Sequence, residues 1–420
     1  MKVLWVTNIE INSIAKEFGA TIIIGGWLEQ TANLLKAYDD VDLYIACSTS
    51  DTGRSYFDKK ADGITFFSFD SLAGNPTLGN RIDDIIDCVK PDVVHVWGTE
   101  YFHALEVLNS CERHGMREKA VLSMQGLPSV YIHHYYANLP WQVINHRTFK
   151  EYFRPNIRKS RDIMKVNGEY EKAALTKADH CIGRTDFDHA CVKQINENIN
   201  YHCVDEILRV PFYEAEPWSY EKCKKRTIFF SQANYPVKGF HTMLMALDII
   251  RKKYPDVVLN VVGADPFNKT FKEKLKRTSY EKYIMDMLNS LNLRDCVKWL
   301  GGLNADQMVN QYRNSNVFVC SSSIENSSNS IAEAMILGVP VVASDVGGIK
   351  SFMLHEEEGI IFHDEAHYML ADGVMRVFES SELASHLGSN ARVRALKIHD
   401  RDINMRKLID VYTSINVGKK

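Results

Sequence analysis

A chain of 420 residues and 48.0 kDa has room for two or three domains, and 45% hydrophobic with 25% charged residues is the balance of an ordinary globular protein. A formal net charge of −3 and a pI near 6.6 exclude a strongly basic chain and give no support to nucleic-acid binding. Nine cysteines without a C-x-x-C pair exclude a zinc ribbon and read as reduced thiols of a cytoplasmic protein.

The opening MKVLWVTNIE is a predicted strand over Val3–Thr7 and not a signal peptide, since it has one basic residue and no cleavage site. No apolar run reaches the roughly 20 residues that span a bilayer. Membrane contact, where it occurs, is therefore expected to be peripheral. In ATIIIGGWLEQTANLLKAY, Gly25 and Gly26 open a helix on which Leu28, Ala32 and Leu35 share a face. Strand, loop, glycine pair and helix in that order let an anionic or sugar ligand approach the backbone, although a glycine pair also serves as a plain turn. The G-x-G-x-x-G dinucleotide fingerprint is absent.

Strands DLYIACS and GITFFSF, helix GNRIDDIIDCVK, strand PDVVHVWG, helix FHALEVLNSCERHG and strand AVLSMQGLP follow. Their alternation predicts an α/β domain with a parallel sheet. His95 lies toward a strand's C-terminal end, where it faces a ligand or is a satisfied core histidine. The next strand ends in Gln125 and Gly126. An amide there bonds a hydroxyl but takes no proton at neutral pH. YIHHYYANLPW is dense in aromatics, suited to a ligand cavity, a lipid interface or packing under a loop. Beyond it Arg154, Arg158, Lys159, Arg161 and Lys165 stand against one acid, Asp162. That run suits an anionic membrane, a lipid diphosphate or a solvated helix face. Strand HCIGRT then ends in Arg184, and Arg209 precedes the domain junction; both fit a site, a hinge or a structural ion pair.

YEAEPWSYEKCKKR loses hydrophobic periodicity, so residues 213–226 are predicted as a linker between a first domain, 1–212, and a second, 227–400, with a helical tail over 401–420. The second domain opens with strand TIFFSQA, and Lys238 and Gly239 stand where the following loop enters a helix. A point charge at a helix N-terminus is a phosphate-binding arrangement. Later comes VFVCSSSIENSSNSIAEAMILGVPVVASDVGG, Val317 to Gly348, read as strand, loop, short helix, turn and strand. Glu325 and Glu333 are set to face one crevice beyond the strand ends, where α/β folds bind ligands. Backbone amides near Ser328, Asn329 and Ser330 form an anion site beside them. Carboxylates for hydroxyls and amides for phosphates suit a nucleotide-sugar. The alternative is that Ser330-x-x-Glu333 is only a capping box.

Glu-x7-Glu followed by AEAMILGVPVVASDVGG resembles the donor-site signature of retaining glycosyltransferase family 4, GT-B fold. The resemblance implies two Rossmann-like domains with parallel sheets facing across a cleft, and a C-terminal helix returning to the first domain. It implies that Glu325 contacts the transferred sugar, Glu333 the ribose, Lys238 with Gly239 the diphosphate, and Trp299 to Leu303 the nucleobase. Gly25, Gly26, His95, Gln125, Gly126 and Arg184 fall on the acceptor side. Two positions depart from the family: Gln125 stands where a His is common, and Gln232 and Ala233 where an Arg is. ADHCIGRTDFDHACV and VDEILRVPFYEAEPW resemble members from bacterial surface-polysaccharide synthesis.

The expected function is a retaining hexosyltransferase moving a hexose from a nucleotide-diphosphate sugar to a hydroxyl of a glycan or lipid-linked glycan. It is expected to need no metal or other cofactor, and to work in the cytoplasm at the inner face of the membrane. The rivals are a non-catalytic sugar-nucleotide-binding protein and a sugar-nucleotide epimerase on the same fold.

Overall fold

The computed structural model describes residues 1–20, 26–49, 55–71 and 75–417. Packing divides the chain into two compact units, one of residues 1–130, 164–209 and 399–420, the other of residues 131–163 and 210–398.

The first unit is built on β1 (Lys2–Thr7), β2 (Asp42–Ser48), β3 (Asp58–Ala61), β4 (Ile64–Phe69), β5 (Val93–Trp97), β6 (Ala120–Ser123), β7 (His180–Gly183) and β8 (Asn200–Cys203). The sheet order is β3-β4-β2-β1-β5-β6-β7-β8, parallel except for the edge pair β3–β4. Residues 3–7 of β1 and all of β5 are buried, because helices cover both faces of a parallel sheet; their sequences accordingly run nearly continuously apolar. The helix Arg401–Val417 closes this core. Its Tyr412 hydroxyl accepts from Trp5 Nε1 at 2.9 Å and meets His95 Nδ1 at 2.5 Å. The tail therefore returns to the first unit.

The second unit carries β9 (Thr227–Phe230), β10 (Val258–Val261), β11 (Val297–Trp299), β12 (Val317–Cys320), β13 (Val341–Ser344) and β14 (Ile360–Phe362), all parallel in the order β11-β10-β9-β12-β13-β14. Strand order reverses direction at β9 and β12, so the chain leaves a crevice beyond their carboxyl ends. The helix Asn329–Leu337 follows β12 and stops at Gly338, which takes φ +75° and donates to the Ala334 and Met335 carbonyls.

Two segments pack differently from the linear division of the sequence. Residues 213–226 are held in the second unit: Trp218 donates from its backbone N–H to the Leu337 carbonyl at 2.7 Å and from Nε1 to the Ser315 carbonyl at 2.8 Å. Residues 131–163 belong to the second unit as well. Glu151 accepts from Ser279 N–H at 3.0 Å and Oγ at 3.1 Å, and His241 Nε2 donates to the Ala137 carbonyl at 2.8 Å. Buried polar partners fix a segment's allegiance, and apolar periodicity carries no sign of them.

Candidate functional site

In the second unit the loops after β9, β12 and β13 meet at the switch point. Lys238 Nζ lies 2.6 Å from Glu325 Oε1, and Ser322 Oγ donates to the same oxygen at 2.6 Å. The Lys238 side chain is 21% exposed and that of Glu325 9%. Burial disfavours the charged lysine, but the Glu325 carboxylate outweighs it and holds the Lys238 pKa above the usual value. The pairing therefore favours the charged ammonium.

Two glycines make this approach of loops practicable. Gly239, at φ +68°, lies so close to the Ser321 carbonyl oxygen that a Cβ would come within 1.7 Å of it, and its own carbonyl accepts from Ser321 Oγ at 2.8 Å. Gly347, at φ +50°, faces the Glu325 carbonyl, which a Cβ would meet at 1.9 Å; the next residue, Gly348, donates its N–H to that carbonyl at 3.0 Å. The Lys-Gly and Gly-Gly pairs of the sequence thus clamp the Glu325 loop from both sides.

The helix behind the loop has Ser328 as N-cap, with no side-chain cap bond, and Ser330 lies inside its first turn. Ser328 Oγ and Ser330 Oγ instead meet at 3.0 Å. The Ser330–Glu333 capping box is not what starts this helix. Its first amide N–H groups, which no helical carbonyl can reach, point out of the N-terminus. Asn329 Oδ1 is buried and has no hydrogen-bond partner among the described residues, a sign that another polar group belongs there. Glu333 is 6% exposed within the helix, and Leu303 is half-buried in the loop after β11, on the same edge of the sheet. Lys238, Gly239, Glu325, Ser328, Asn329, Ser330, Glu333 and Leu303 all lie at or near the carboxyl edge of one sheet. Ser322 was not singled out in the sequence; no periodicity marks a serine that bonds three residues ahead.

The first-unit residues divide otherwise. Gly25 lies outside the described residues, and Gly26 opens its helix with a Cβ position 2.9 Å from Arg209 Cδ. His95 is a core residue, not a ligand-facing one. It is wholly buried, Nε2 meets Ser123 Oγ at 2.6 Å, Nδ1 meets Tyr412, and burial lowers its pKa to about 3. Arg184 is 5% exposed and is consumed structurally, paired with Glu206 and donating to the Met124 carbonyl. With its amide oriented to satisfy both neighbours, Gln125 donates to Glu206 at 3.1 Å and accepts from Arg184 at 3.0 Å.

The sequence offered no carboxylate at this strand end, and the structure supplies one. Glu100, just beyond β5, accepts the Gly126 N–H through Oε1 at 2.7 Å. Its Oε2 is buried without a hydrogen-bond partner among the described residues, and burial raises its pKa. Only the sheet order, which sets β5 beside β6, brings Glu100 to Gly126.

Of three Asp-x-Asp strings in the sequence, two serve helix starts: in Asp186-Phe187-Asp188, Asp188 completes a capping box with Thr185, and in Asp400-Arg401-Asp402, Asp400 Oδ1 accepts the Ile403 N–H at 2.8 Å. Among the described residues no three His, Cys, Asp or Glu side chains gather as a metal site, and no helix is long and apolar enough to cross a membrane.

Residues 213–394, all within the second unit, match the family model of Glycosyl transferases group 1. The putative glycosyltransferase YtcC of Bacillus subtilis (strain 168) is 26% identical over 197 residues, 46% of this chain and 47% of that protein. The lipopolysaccharide 1,2-N-acetylglucosaminetransferase of Salmonella typhimurium (strain LT2) is 33% identical over 141 residues, 33% of this chain and 35% of that protein. The chain thus spans about half or less of the curated relatives it matches. Among solved structures, the sucrose-phosphate synthase of Thermosynechococcus elongatus superposes with a TM-score of 0.71 at 14% identity, covering 98% of both chains. Anabaena Alr3699/HepE in complex with UDP-glucose superposes at 0.67 and 15% identity, over 98% of this chain and 99% of that one. The fold is GT-B.

Proposed function

We propose that this chain, with a group 1 glycosyltransferase match over residues 213–394, is a retaining hexosyltransferase of family 4 type. It would move a hexose from a nucleotide-diphosphate sugar to a hydroxyl of a glycan or lipid-linked glycan. The observation that carries the reading is the Lys238–Glu325 pair at the β9/β12 switch point, beside the N-terminus of the helix Asn329–Leu337. Lys238 and the helix amides receive the diphosphate, Glu325 a hydroxyl of the transferred sugar, Glu333 the ribose, and the loop ending at Leu303 the base. Lys238 neutralises the leaving group, so no metal enters the scheme. The acceptor would be one used in surface-polysaccharide synthesis at the cytoplasmic face of the membrane.

Retention by double displacement needs a carboxylate free to attack the anomeric carbon. Glu100 is the carboxylate beside Gly126, but one oxygen is bound by the Gly126 amide and the other is buried. That favours a front-face route. The bond from C1 to the diphosphate oxygen breaks as the acceptor hydroxyl bonds C1 from the same side, and the hydroxyl proton passes to the departing diphosphate. Gln125, tied to Arg184 and Glu206, takes no proton.

The same tie favours the rival reading of a non-catalytic sugar-nucleotide-binding protein. Thermal-shift measurements against UDP-glucose, GDP-mannose and UDP-N-acetylglucosamine identify the donor, since a ligand of the native state raises its stability. Release of free sugar from that donor separates enzyme from binder. NMR of a product from an α-linked donor must give an α linkage; a β linkage refutes retention. A covalent glycosyl adduct on Glu100, seen by mass spectrometry, would overturn the front-face route.

A further inference from the structure

Soluble surfaces seldom leave several large aromatics bare in one place. In the second unit, the short helices Trp141–Asn145 and Phe149–Phe153 expose Trp141 (64%), Phe149 (60%), Tyr152 (70%) and Phe153 (77%). These helices are not loosely held. Thr148 and Glu151 form a capping box, Thr148 Oγ1 donates to the Arg277 carbonyl at 2.6 Å, and Glu151 turns inward to Ser279. The inward bond sets the opposite face of the helix outward. The residues that receive it, 277–279, come two residues after the helix Phe271–Lys274, which leaves Phe271 at 77% exposed, with Leu275 at 40% just beyond it.

Charge follows the same stretches. Arg147, Arg154, Lys272, Lys274 and Lys276 are exposed on the same stretches of chain as these aromatics. The acids there are Glu151, which is buried, and Glu273, whose carboxylate caps Thr270 at 2.8 and 2.7 Å. Exposed aromatics and bases on the same stretches match the headgroup region of an anionic bilayer, where rings sit at the interface and each base gains from the negative surface potential. A second copy of this chain would set base against base. A nucleic acid would use the bases but leave Phe153 and Phe271 without partners at the phosphate backbone.

We infer that this face of the second unit, centred on Phe149, Tyr152, Phe153 and Phe271, seats the protein on an anionic lipid surface. The inference rests on the reading of the chain as a transferase to a membrane-linked glycan, but its chemistry is separate from the donor site. Of the basic run expected to meet lipid, Arg154 to Lys165, only Arg154 belongs to this face, so the contact shifts from the rest of that run to the short helices before and beside it. In that run, Arg161 is turned inward, donating to the Ile132 carbonyl at 3.2 Å and lying over the Tyr136 ring.

The test is flotation of the full chain with phosphatidylcholine vesicles with and without phosphatidylglycerol. The wild type should float with the anionic vesicles and stay behind with the neutral ones. Phe149→Ser/Phe153→Ser and Arg154→Glu/Lys274→Glu should each lower the floated fraction about tenfold. Both double variants lie on the exposed face, and an unchanged melting temperature certifies their fold. Equal flotation of wild type and variants overturns the inference, as does no flotation of the wild type. A wild-type dimer in gel filtration that either variant dissolves overturns it too, since a second copy then covers the face. Flotation as expected in a protein that no nucleotide-sugar stabilises leaves the lipid surface standing and refutes the transferase reading instead.

Discussion

Lys238 Nζ and Glu325 Oε1 stand 2.6 Å apart across the switch point, so the lysine that would hold a diphosphate already has an anionic partner. A donor must share or displace it. Removing Lys238 removes the phosphate's cation, and removing Glu333 removes the proposed ribose contact. Hydrogen bonds to charged groups are worth about 1.5–3 kcal/mol, so Lys238→Ala and Glu333→Ala should each weaken donor binding about tenfold or more in calorimetry. Wild-type affinity in both folded variants refutes the site.

Glu325→Gln separates binding from turnover. The neutral amide no longer competes for Lys238, so a nucleoside diphosphate should bind as tightly as before or more tightly. Transfer should fall on the order of a hundredfold, since one charged contact to the sugar is lost where charge develops. Parallel loss of diphosphate affinity and turnover would contradict the pairing seen here.

Gly239→Ala tests the clamp. The new methyl would have to occupy the space of the Ser321 carbonyl, and the residue would have to hold φ +68°. We expect at least about 1–3 kcal/mol of lost stability, seen as a lower melting temperature, together with lost nucleotide binding. Gly19→Ala, also at positive φ but with open space around its Cβ, should leave nucleotide binding intact.

Stability should bend with pH in two opposed ways. Burial lowers the pKa of His95 to about 3 and of His241 and His399 to about 4. Below pH about 6.5 the unfolded chain takes up protons these rings refuse, so their contribution is lost as pH falls from there toward 4, about 1.4 kcal/mol per pH unit each. Glu171 runs the other way: burial raises its pKa to about 8. Its contribution is full below its unfolded value of about 4.5 and is lost as pH rises through 8. Glu171→Gln should therefore gain on the wild type between pH 5 and 8 in urea titrations, and a pH-independent difference would contradict the burial of that carboxyl.

A chelator should leave transfer intact, because Lys238 and the helix amides supply the positive charge for the diphosphate. Loss of activity in EDTA that Mn²⁺ or Mg²⁺ restores counts against the scheme.

The α/β alternation and the Val317–Gly348 motif were legible because parallel strands buried on both faces and a Gly-Val-Pro turn leave direct marks in sequence. The Glu325 loop could be placed from local spacing alone. His95 and Arg184 could not, since whether a strand-end polar group faces a ligand or the core depends on partners far along the chain. Tyr412 decides it for His95 and Glu206 for Arg184. Glu100 stayed hidden for the same reason: its neighbour Gly126 lies one strand over, not one turn along. The segment 131–163 read as part of the first domain because its ties to Ser279 and His241 are polar contacts without periodicity.

The bond between His95 and Tyr412 joins residues 317 positions apart. On a ribosome adding about 5–20 residues per second, His95 waits roughly 15 to 60 s for that partner. Glu151 likewise waits for Ser279, so residues 131–163 emerge well before the unit they complete. Vectorial synthesis therefore cannot finish the first half before starting the second. The nascent chain carries an open first sheet, with His95 and Trp5 short of their hydroxyl partner, until the helix Arg401–Val417 has emerged. Removal of the helix Arg401–Val417 should accordingly damage the first sheet, which lies far earlier in the chain.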